Sequence, residues 1–192
     1  MPKVKFGLKN CHYAKATIKE DGTATYGSPK RLPGAVSITL DPSGDASVFN
    51  ADDIVYFTAP GSTGYTGSLE LALIPDSFLE DCMGADTTTE EGVLLEDADA
   101  VASPFALMFE FTTDEKAQKH VMYNVTATRP SIAGQTKGQT TEVKTETLNL
   151  TAGSIYNKAA DKNFVKAKAT AASAPYSKWY EEVWQPGESA ED

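Results

Sequence analysis

Two cysteines among 192 residues, Cys11 and Cys82, are too few for a disulfide framework, and with no export signal ahead of them both are expected as thiols. Long hydrophobic runs are missing too. No apolar stretch is long enough for a membrane helix, and Met1 to Tyr13 alternates lysine with apolar residues instead of forming a signal-peptide core. The expectation is a protein without membrane association that stays in the cytoplasm where it is made. Histidine is equally scarce, His12 and His120 being the full supply. Cys11 and His12 are adjacent, so on a strand they point to opposite faces, and no Cys or His stands at metal-ligand spacing from another. No metal site is expected. Net charge is −10 with a pI near 4.7, which excludes a duplex binder that works by neutralising phosphates.

Familiar chemistry is also missing. Asp41, Ser43, Asp45, Ser47 and Asp52 have calcium-loop spacing, but Ala46 stands where a glycine is needed and Asp52 where a bidentate Glu belongs. Gly61, Gly64 and Gly67 precede no helix pattern, and residues 134 to 138 lack the order of a phosphate-binding loop. Neither histidine accompanies a nucleophile-elbow pattern. The chain is therefore expected to be no enzyme, with no catalytic residues and no cofactor.

What is present is an uneven distribution of charge. Residues 1 to 31 carry seven basic and two acidic side chains; residues 32 to 115 carry seventeen acids and no lysine or arginine. Residues 116 to 180 return to ten basic against three acidic, and the last twelve residues hold five acids. Folding could mix these blocks into an ordinary surface. Alternatively, acidic and basic faces on different sides of the subunit would favour head-to-tail self-assembly.

Short runs rich in Val, Ile, Thr, Tyr and Phe between turn residues predict a mainly β fold. Strands are expected at residues 12 to 19 and 23 to 26 around the Asp21-Gly22 turn, then at 35 to 40, 47 to 58, 67 to 74, 105 to 112, 119 to 128, 143 to 150 and 164 to 170. Alternation gives three of them an apolar face and a small polar one. Leu69 and Leu71 oppose Ser68 and Glu70; Phe105, Leu107 and Phe109 oppose Met108 and Glu110; Val121, Tyr123 and Val125 oppose Met122, Asn124 and Thr126. One side on a core and the other in water is the expectation. Two helices are predicted, Asp76 to Met83 closed by Gly84, and a short C-terminal one from Ala174 to Trp184 carrying an aromatic stripe. Loops are expected near residues 59 to 66, 85 to 100 and 131 to 142, with 186 to 192 a frayed tail of one 192-residue domain.

The opening Val4-Lys5-Phe6-Gly7-Leu8-Lys9-Asn10 with Tyr13-Ala14 resembles that of the major tail proteins of non-contractile, long-tailed phages and prophages of Gram-positive bacteria. Pro33 to Val36, Ala51 to Tyr56, Gly64 to Gly67, Leu69 to Pro75, Phe105 to Leu107, Tyr123 to Val125 and Thr128 to Pro130 continue the similarity in order. The resemblance implies a tail-tube-type β-sandwich or barrel with a flanking helix, without the C-terminal immunoglobulin-like domain of some members. It implies a virion protein, assembled from the host cytoplasm into stacked hexameric rings whose channel passes the genome without specific DNA binding. Partners would be further copies of itself and the tape measure, tail terminator and distal tail proteins. On that reading Ser68, Glu70, Glu110, Asn124 and Thr126 line the channel, and Ser62, Thr63, Gly64, Tyr65, Gln135 and Lys137 lie in loops between subunits or rings. The alternative is a monomeric β-sandwich binding module for cell-wall carbohydrate.

Overall fold

A computed structural model describes residues 4–44, 47–51, 54–59, 61, 64–86, 93–113, 115–132, 134 and 144–187. The fold is mainly β, with one α-helix among the described residues. In chain order the elements are β1 (Lys5–Ile18), β2 (Ala24–Tyr26), β3 (Lys30–Arg31), β4 (Ala35–Ser43), β5 (Ser47–Ala51), β6 (Ile54–Ala59), β7 (Gly64–Leu71) and α1 (Asp76–Met83). Then come β8 (Ala85–Asp86), β9 (Leu95–Glu96), β10 (Phe105–Thr113), β11 (Gln118–Ala127), β12 (Glu146–Gly153), β13 (Ile155–Asn157), β14 (Lys162–Phe164) and β15 (Lys166–Ala169). One antiparallel sheet runs β2-β1-β10-β11-β12-β7-β4, with β3 added to β1 and β15 to the first half of β11.

The inner side of this sheet carries the main core. Leu69 and Leu71 of β7, Phe105, Leu107 and Phe109 of β10, and Leu148 and Leu150 of β12 are buried there, and Ile38 and Leu40 of the edge strand β4 pack on the same cluster. The sheet therefore curls over its own apolar face. At one point two backbones nearly touch: a Cβ on Gly67 would lie 1.8 Å from the Thr39 carbonyl oxygen, so only glycine fits between β7 and β4.

Helix α1 closes the core at the predicted residues. Phe78 and Cys82 are fully buried, and Phe78 meets Tyr13 and Phe105 edge to face at 5.0 and 5.2 Å. Gly84, in the left-handed region at φ 73°, turns its N–H back to the Leu79 carbonyl and ends the helix. The helix is pinned by Asp81, whose Oδ2 accepts from the buried Tyr13 hydroxyl at 2.8 Å and from Lys30 Nζ at 2.6 Å. Burial opposes ionisation of Asp81, but these two donors outweigh it and hold its carboxyl below the usual range.

The outer side differs from the expected uniform polar face. Between β10 and β11 the pairing passes from Phe105↔Val125 to Leu107↔Met122, so Ala106 faces both Tyr123 and Asn124, a β-bulge. The bulge shifts the phase of β11. Met122 joins Val125 and Ala127 in the inner core, while Val121 and Tyr123 turn outward with Ala106 and Met108. Those outward residues are covered, not wetted: Trp179 and Val183 bury against them, together with Ile155 and Ala169.

The covering C-terminal segment is not the predicted helix. Only a single 3-10 turn, Ala174–Tyr176, precedes further turns. Its carbonyls are spent on the sheet instead of on an i→i−4 ladder: Lys119 Nζ donates to Tyr176 O, the Tyr123 hydroxyl to Trp184 O and Asn157 Nδ2 to Pro186 O. The predicted strand over 47 to 58 is likewise two strands, β5 and β6, paired as a hairpin, and that over 164 to 170 begins only at Lys166 after a separate β14. The β1 strand starts at Lys5, well before His12.

Two outcomes test this packing. Trp179→Ala, which empties the centre of the outer cover, is expected to cost about 3–5 kcal/mol in a urea titration, and a loss under about 1 kcal/mol would contradict it. Because the Asp81 pKa is lowered on folding, its contribution is present above the unfolded carboxylate pKa and lost as pH falls through the folded value. Asp81→Asn should therefore lower the melting temperature at pH 7 and flatten its fall toward acid; an unchanged acid limb would contradict the tether.

Candidate functional site

Described residues cover the outer side of the sheet over β1, β10 and the first half of β11. Beyond the bulge it is bare among the described residues. Register places Asn124 and Thr126 of β11, Thr147, Asn149 and Thr151 of β12, Thr66, Ser68 and Glu70 of β7, and Ser37, Thr39 and Asp41 of β4 on this one face. All eleven side chains are exposed or half-buried, seven are hydroxyls, two are amides and two are acids. None is a lysine or arginine.

Glu70 holds its negative charge firmly. Thr145 donates to one carboxylate oxygen at 2.5 Å and Ser37 to the other at 2.8 Å, and these bonds lower its pKa. Thr126 reaches the Thr151 carbonyl at 3.5 Å and Asn124 Nδ2 the Ser154 carbonyl at 3.3 Å, so these two side chains are tied to neighbouring backbone. A surface of this kind presents dipoles and negative charge, and its described residues include no cation to neutralise a phosphate.

Ser68, Glu70, Asn124 and Thr126, proposed from alternation, thus share one face. Glu110 does not belong with them. It lies on the same side of the sheet but under the C-terminal cover, 4% exposed, accepting from Asn10 Nδ2 at 2.8 Å and the Tyr180 hydroxyl at 3.1 Å, with Lys9 Nζ at 3.7 Å. Burial and then the Glu110 charge push the Tyr180 phenol well up, so it stays protonated as the donor. Strand alternation could not reveal this, because the cover comes from residues far along the chain.

Gly64 and Tyr65, expected in a loop, open strand β7. Gly64 pairs with Ser43, and Tyr65 is half-buried with Lys166 Nζ 4.4 Å from its ring centre. Ser62, Thr63, Gln135 and Lys137 lie outside the described residues. The feature the sequence reading missed is the arm: β4 and β7, paired down to Ser43↔Gly64, are joined by the β5–β6 hairpin, which pairs with no other described strand. Its Ile54 is 63% exposed. The sequence signal was there, since Asp52-Asp53 interrupts the apolar run between Ala51 and Ile54.

One concave feature is a cleft of about 310 Å³ beside α1, lined by Leu73, Leu79, Met83, Ile132, Arg129 and Glu96 among others. No cluster of three or more metal-ligating side chains occurs among the described residues, and no described helix is long and apolar enough to cross a membrane. Compared with protein-family models the chain matches none, and curated proteins yield no significant relative.

Removing the Tyr180 hydroxyl leaves the buried carboxylate short of a donor, at a cost of about 1.5–3 kcal/mol. Tyr180→Phe is expected to speed tryptic cleavage after Lys178 as the cover loosens, whereas cleavage at the wild-type rate would contradict the anchoring role.

Proposed function

We propose that this chain is a structural subunit that assembles with further copies of itself, six to a ring, into a stacked phage tail tube through which DNA passes. The observation that carries the reading is the bare outer half-face: a broad, ordered, cation-free polar surface on a sheet whose other side is a full core.

A duplex carries about one negative charge per 1.7 Å of axis, and a protein surface holds it by releasing condensed counterions from phosphates paired with lysine or arginine. Hydroxyls, amides and two acids offer no such pairing. As a channel lining they let DNA slide. Two further features fit assembly. Strand β4 is a nine-residue edge that pairs only with β7 among the described strands, a place for a neighbour's strand to add. A two-stranded arm such as β5–β6 is marginal alone in water and gains stability from a partner. The ring size of six and the phage origin rest on the resemblance of the residue strings. A carbohydrate-binding module fits less well, because the bare face has no aromatic platform among its described residues.

Negative-stain microscopy of the purified protein at low and high concentration, beside size-exclusion chromatography, tests the reading: rings or hollow tubes are expected, and a monomer under every condition would overturn it. A second test changes the lining. Ser68→Lys with Thr126→Lys should still assemble but retain nucleic acid in a salt-dependent way. Retention equal to that of the wild type would mean that this face does not meet the DNA.

A further inference from the structure

Strand β11 links two ends of the molecule that differ in charge. Near its start the β10–β11 turn carries Lys116, and β15 places Lys168 opposite His120 and Lys166 opposite Met122, midway along β11 with its Nζ 4.4 Å from the Tyr65 ring centre; all three lysines are exposed, and Glu115 is an exposed acid beside the turn. At its far end the chain runs through Arg129 to Ile132 into the cleft beside α1. The ten residues of β11 put about 30 Å between the Lys116 turn and the cleft, with Lys166 about halfway along.

The cleft end is acidic and apolar together. Asp76 and Glu96 line it, and exposed Asp97 and Asp99 follow Glu96 in the chain, Asp97 Oδ1 accepting from the Asp99 N–H at 2.9 Å; Arg129 answers Glu96, with Nε 2.8 Å from a carboxylate oxygen, while also donating to the Asp97 carbonyl. Leu73 is 68%, Leu95 51% and Ile132 99% exposed. Large apolar side chains gathered this openly around a concave surface mark a contact site. Acids around an apolar centre call for a partner with a cationic rim.

We infer that the occupant of this cleft is the lysine end of a second copy, so that Lys116, Lys166 and Lys168 of one subunit meet Asp76, Asp97 and Asp99 of the next. The inference rests on the self-assembly reading and specifies which ends of the subunit join along the stack. Within one chain the two ends are too far apart to meet. Joining like ends would set acids against acids or lysines against lysines, which is repulsive. A head-to-tail contact sets opposite charges together at every joint, and repeated in one direction it propagates along a line.

A charge exchange tests it. One variant carries Lys166→Glu and Lys168→Glu, the other Asp76→Lys and Asp97→Lys; all four positions are exposed, and unchanged thermal melts establish that each variant folds. Assembly is followed by light scattering and microscopy at low salt. Each variant alone should need at least about tenfold more protein to assemble than the wild type, and an equimolar mixture should recover most of that loss, because each reversed end then finds a complementary one. Variants that assemble like the wild type, or a mixture that does not recover, would overturn the contact and leave the tube reading intact. A wild-type protein that stays monomeric at every concentration and salt would overturn both.

Discussion

A β-sheet has two sides, and every residue of every strand must be settled on one of them. In this chain the settlement turns on the bulge where Ala106 faces both Tyr123 and Asn124. Before it, β11 sends Val121 and Tyr123 outward into a second core; after it, β11 sends Asn124 and Thr126 outward into solvent. The C-terminal segment covers the first half because Trp179, Val183 and Tyr180 find an apolar bed and a buried carboxylate there. It stops where the hydroxyl-rich half begins. Two glutamates on the same side of one sheet thereby have opposite fates, Glu110 buried under a phenol and Glu70 held charged at the surface.

Much of the inner core was legible in the sequence. Leu69 and Leu71 on β7, the Phe105, Leu107 and Phe109 series on β10, and α1 with its Gly84 terminus follow directly from periods of two and of 3.6 residues. Most of the bare face was legible by the same rule, since Ser68, Glu70, Asn124 and Thr126 alternate with apolar neighbours. The failures have a common cause. A bulge leaves no mark on composition, so Met122 and Tyr123 were assigned to the wrong sides, and Glu110 read as water-facing because its cover lies some seventy residues away in sequence. The aromatic spacing of Tyr176, Trp179, Tyr180 and Val183 looked helical. Long-range bonds from Lys119, Tyr123 and Asn157 to that segment's carbonyls drew it into turns on the sheet.

Charge underwent a similar rearrangement between chain and fold. The lysine-free block of residues 32 to 115 does not make one acidic face. Asp81 is matched by Lys30, Glu110 is buried, Glu70 sits on the bare face, and Asp76 and Glu96 line the cleft, with Asp97 and Asp99 next along the chain. What persists is an uneven distribution along β11, with exposed Lys116 and Lys168 toward its start and Asp76 and Glu96 at the cleft beyond its far end, at right angles to the question of which side of the sheet is wet. A tube needs both properties: one direction along which copies stack and one face turned to the channel.

The central claim is that the uncovered half of the sheet is the channel wall. A cryo-electron microscopy map of the assembled protein tests this most directly, because it shows which side of the sheet faces the axis. The account predicts a hollow particle whose wall is formed by the face bearing Ser68, Glu70, Thr126 and Thr151, with the Trp179 cover turned away from the channel. A channel lined by lysine and arginine, or a particle in which that face is buried against a neighbour, would contradict it.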